Sequence, residues 1–89
     1  MALPVVHYLV YRVQDTGFVD WEEPDGGLVL YLDDVPFLHR IAERRYHCDP
    51  GERLIIEEAD TPEDRWKAVL LATYWEHEQR EFTALMEVA

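Results

Sequence analysis

Cysteine is nearly absent from this chain. With Cys48 alone no disulfide can close within it, and a reducing, cytoplasmic setting is the expectation. No apolar run reaches membrane-spanning length, and the start lacks the basic-then-apolar pattern of a secretory leader, so no membrane contact is expected. Basic residues are scarce: eight stand against nineteen acids, a net charge of −11. Such a charge disfavours direct nucleic-acid or anionic-membrane binding and favours a basic partner. There is no phosphate-cradling glycine loop, no nucleophile elbow and no basic stripe interleaved with aromatics. No cofactor is implied.

What is present suits one domain of 89 residues with ordinary apolar and charged fractions. A chain of this size buries about 60–65% of its unfolded surface, so its stability margin is narrow. The charge is unevenly spread. Residues 15–34 hold seven acids and no base: Asp15, Asp20, Glu22, Glu23, Asp25, Asp33 and Asp34. The segment 35–53 is the arginine-bearing part, with Arg40, Arg44, Arg45 and Arg53.

The best-signalled element is a long helix at the end of the chain. Thr61 is a suitable N-cap, Pro62 fits the first helical position, and Glu63 and Asp64 complement the positive end of the helix dipole. No Gly or Pro interrupts Arg65 to Glu87. Leu71, Trp75, Phe82 and Leu85, with the adjoining row Trp66, Leu70 and Tyr74, make a broad apolar stripe. Trp66, Leu70, Leu71 and Trp75 are the expected core; Phe82, Leu85 and Met86 are candidates for a second subunit.

Earlier in the chain, Pro4 to Gln14 alternates as a strand with both faces largely apolar, as in a central strand. Asp15-Thr16-Gly17 suggests a hairpin turn into a second strand at Phe18, Val19 and Trp21. Glu22 to Gly27 is a further turn, and Leu28 to Asp33 a third strand. A shorter helix is expected from about Pro36 to His47, ended by Asp49-Pro50-Gly51, and a fourth strand over Arg53 to Ala59. The predicted fold is therefore α+β. It has a mostly antiparallel four-stranded sheet in β-β-β-α-β-α order, with a short and a long helix on one face.

Catalytic constellations are fragmentary. Asp15-Thr16-Gly17 is the triplet of retroviral-type aspartic proteases, where two copies of the Asp share a proton. Here Gln14 precedes it, and Ile55-Ile56 is followed by Glu57 where that family has Gly, so the triplet is read as a turn. His77-Glu78-Gln79-Arg80-Glu81 is similar to a metalloprotease HExxH with Glu replacing the second His. His39 and Glu43 repeat the i, i+4 spacing, and His47-Cys48 is a third pair, but a zinc site needs three or four converging ligands. Arg44 and Arg45 are close enough in sequence to lower the Cys48 pKa. No metal site and no enzyme activity is assigned.

The expected function is a non-enzymatic acidic module that meets a basic protein surface: an inhibitor, an immunity or antitoxin protein, or a nucleic-acid mimic. Asp20, Trp21, Glu22, Glu23, Asp25, Asp33 and Asp34 are the expected contacts, with charge steering association and Trp21 as anchor. The alternative is a structural or assembly subunit, a homodimer formed through the first strand or the C-terminal helix; a lesser one is a small metal-binding protein or enzyme using His39, His77, Glu81 or Asp15.

Overall fold

The computed structural model describes residues 4–88. It is α+β, with three antiparallel strands and two α-helices. Strand β1 (Val5–Gln14) is central, with β2 (Gly26–Tyr31) on one side and β3 (Glu52–Glu58) on the other. A 3-10 turn over Leu32–Phe37 leads into α1 (Leu38–Arg45), and α2 (Pro62–Val88) completes the chain. Among the described residues no helix is long and apolar enough to cross a membrane.

The two apolar faces of β1 are used separately. Tyr8 and Val10 pack with Leu28 and Leu30 beneath Ala42 and Tyr46, on the α1 side. Leu9, Tyr11 and Val13 pack with Ala59 and Ala68, on the α2 side. The helices therefore cover opposite faces, which corrects the expected fold with both on one face. Two-faced apolarity in β1 reflects burial on both sides, and a strand paired along both edges has none left for a homodimer.

The expected strand at Phe18–Trp21 is absent. Asp20 prevents it by turning the chain locally: its Oδ1 accepts the Glu22 N–H at 3.1 Å and its carbonyl accepts the Glu23 N–H at 3.3 Å. Residues 15–25 form one long connection instead of a hairpin and strand. Gly17 does not take a positive φ; among the described residues Gly51 does, at 88°, in the turn that leads into β3. The shorter helix also differs, because Pro36 lies within the 3-10 turn and leaves Phe37 exposed.

The start of α2 is as expected. Thr61 Oγ1 accepts the Asp64 N–H at 3.1 Å, and Glu63 and Asp64 occupy the first turn. Of its expected core residues, Leu71 and Trp75 pack against the two clusters, and Trp66 and Leu70 do not. Ala68 and Ala72 are buried, whereas Trp66 is 62% exposed and Leu70 about half exposed. The cause is close approach: a Cβ on Gly27 would overlap the backbone of Ala68. With helix and strand this near, only alanine fits between them, and larger side chains are displaced to the flanks.

Candidate functional site

The connection 15–25 leaves the sheet where β1 ends and β2 begins, and it carries the acids as an exposed surface. Asp15, Asp20, Glu22, Glu23 and Asp25 are all exposed. Two of them also hold the backbone in shape: Asp20 through its turn, and Asp25 by accepting the Arg12 N–H. Trp21 is held from below. Its ring meets Tyr11 edge-on at a centroid distance of 5.0 Å, and the Tyr11 hydroxyl donates to the Trp21 carbonyl at 3.2 Å. Half of Trp21 remains exposed, and Phe18 is almost fully so.

The electrostatics around this pair extend beyond the loop. Burial raises the Tyr11 pKa, and the negative charges of Glu57, Asp64 and Asp20 push it further the same way. Carboxylates from β3, from the first turn of α2 and from the loop therefore bear on the Tyr11 hydroxyl. Glu57 and Asp64 were not expected there. The register that puts Glu57 opposite Leu9, on the Tyr11 face, was the missing information.

Asp33 and Asp34 lie elsewhere. They follow β2, so six strand residues, about 20 Å, separate them from the loop. Contiguous in sequence, the seven acids form two groups at opposite ends of the sheet. Asp33 and Asp34 stand among the exposed Tyr31, Leu32 and Phe37.

The metal-like pairs stay isolated. His77 Nε2 and Glu81 Oε1 are 3.1 Å apart on an exposed helix surface. Among the described residues, no three His, Cys, Asp or Glu side chains gather as ligands for an ion. His39, Glu43 and Cys48 share a cleft of about 310 Å³ with Leu54 and Ile56, between α1 and β3. The expectation for Cys48 is corrected. Burial pushes its pKa up, with Glu52 and Asp49 adding to the rise, and Arg12 rather than Arg44 or Arg45 is the cation that opposes it.

Tyr46 had no signal in the sequence. It is buried, and its hydroxyl donates to the Gly27 carbonyl at 2.8 Å and accepts the Gly27 N–H at 3.0 Å. Beside it, Trp75 Nε1–H donates to the Arg45 carbonyl at 3.0 Å, with the Arg45 guanidinium 5.0 Å from the Trp75 ring centroid. These contacts join α2 to the end of α1 around the β2 edge. The chain matches no protein-family model, no curated protein and no solved structure.

Proposed function

We propose that this protein is a non-enzymatic acidic interaction module that docks on a basic surface of a protein partner, as an inhibitor, an immunity or antitoxin protein, or a nucleic-acid mimic does. The observation that carries the reading is the exposed, base-free run Asp20, Glu22, Glu23 and Asp25 arranged around a half-exposed Trp21 that Tyr11 holds in place. A fixed aromatic within a field of one sign supplies an anchor with little rotamer entropy to lose, and long-range steering of an oppositely charged surface. Asp33 and Asp34, at the far end of β2, belong to the interface only if the partner spans the length of that strand.

The test is affinity capture from host lysate at low and high salt, followed by titration of the captured basic protein against variants. Reversing Glu22 and Glu23 to Lys, with Asp20 kept because its carboxylate holds the turn, should weaken binding at least tenfold and flatten its salt dependence, with the melting temperature nearly unchanged. Trp21→Ala should speed dissociation. Affinity indifferent to the two reversals would remove this surface as the binding site.

A further inference from the structure

The two outer edges of the sheet are finished differently. Backbone bonds from Asp15 N–H to the Gly51 carbonyl (2.9 Å) and from Ala59 N–H to the His7 carbonyl (2.8 Å) set the phase of the β1–β3 ladder. With Tyr11 opposite Ile55, that phase directs the N–H and C=O groups of Arg53, Ile55 and Glu57 toward β1. The corresponding groups of Leu54 and Ile56 point out of the sheet, where β3 has no neighbouring strand among the described residues. Leu54, Ile55 and Ile56 are only partly buried, so apolar surface remains on both faces of this edge.

We propose that β3 pairs antiparallel with β3 of a second copy, about a two-fold axis at Ile55, to form a continuous six-stranded sheet. Only residues with outward backbone groups can bond across the new seam, which restricts the pairing to registers that match Leu54 and Ile56 with even-numbered partners. The side chains select among these. With Leu54 opposite the second copy's Ile56, Ile55 faces Ile55, and Arg53 faces Glu57 twice by symmetry. Sliding one copy by two residues puts Arg53 opposite Ile55 or Ala59, and Glu57 opposite Gly51 or Ile55, so both ion pairs are lost. The self-complementary charges thus do two things: they deter arbitrary edge pairing and permit one register. Glu52 and Glu58 meet as like charges at the ends of the seam, and the net charge of −11 adds repulsion. A single strand pair is a small interface, so the dimer is weak and concentration-dependent.

This inference is tested apart from the acidic loop's partner, because self-association of the purified protein involves no partner. The experiment is sedimentation equilibrium over about 1 μM to 1 mM protein in about 0.15 M salt. The wild type should pass from monomer to dimer. Glu57→Arg and Arg53→Glu should each weaken association at least about tenfold, and Arg53→Glu/Glu57→Arg together should restore it. Glu57→Arg makes the chain less negative, so loss of the dimer in that variant cannot come from net charge. A monomer at every concentration overturns the proposal and leaves the edge to an extended segment of another protein. A dimer indifferent to the single variants, or not restored by the exchange, overturns the register and the interface with it.

Discussion

The β2 edge and the β3 edge belong to one small sheet, yet one is closed at Gly27 and the other is open. At β2, two consecutive glycines let two layers close in at once. Gly26 lies against the Tyr46 ring and Gly27 against the α2 backbone at Ala68. The outward N–H and C=O of Gly27 are both taken by the Tyr46 hydroxyl. At β3 no comparable residue arrives, and the cleft beside α1 leaves Leu54 and Ile56 partly bare. An exposed edge needs covering or guarding. This chain covers one with a tyrosine and guards the other with the alternating charges of Arg53 and Glu57.

The comparison can be broken most severely at Gly27. Gly27→Ala drives a methyl into the Ala68 backbone and should destabilise the fold by about 3 kcal/mol or more in urea denaturation. Tyr46→Phe keeps the ring and removes the hydroxyl, leaving a buried N–H and C=O unpaired, and should cost ~1–3 kcal/mol. The same residue carries a pH signature. Burial raises the Tyr46 pKa above the usual 10.0, against the smaller opposing effects of the Gly27 hydrogen bond and Arg45. A phenol whose pKa is higher folded than unfolded contributes stability that is fully present below pH 10 and is lost as pH rises through the folded value. Burial of Tyr8 and Tyr11 acts in the same direction. Urea stability should therefore fall above pH 10, and less steeply in Tyr46→Phe. At the open edge the effect should be smallest: Arg53→Glu should change the stability of dilute protein by less than about 0.5 kcal/mol.

How much of this was legible in the sequence depended on whether the cause was local. The cap at Thr61 and the two-faced alternation of β1 are statements about neighbouring residues, and they held. The strand expected at Phe18–Trp21 gave way to the turn Asp20 makes with its own backbone, a local device available to the sequence but outweighed there by the aromatic and β-branched pattern. The core of α2 was legible in part, since Leu71 and Trp75 pack on the sheet as expected. Trp66 and Leu70 fall on the apolar stripe, but the helix approaches Gly27 too closely for them, and that distance is a tertiary fact. The seam of Tyr46, Trp75 and Arg45 joins residues as much as 30 positions apart. The placement of the candidate residues was half legible: the loop acids and Trp21 lie together on one exposed connection, whereas Glu57 comes near Tyr11 through strand register, Asp64 through the start of α2, and Asp33 and Asp34 are carried away by the length of β2.

Residue-resolved amide hydrogen exchange, measured on dilute and on concentrated protein, tests the contrast between the two edges most directly. The Gly27 and Ile55 amides should be protected at both concentrations, one by Tyr46 and the other by β1. The Leu54 and Ile56 amides should exchange freely in dilute protein and gain protection as concentration rises. Protection of Leu54 and Ile56 at every concentration, or free exchange at Gly27, would contradict the assignment of one edge closed at Gly27 and one open edge.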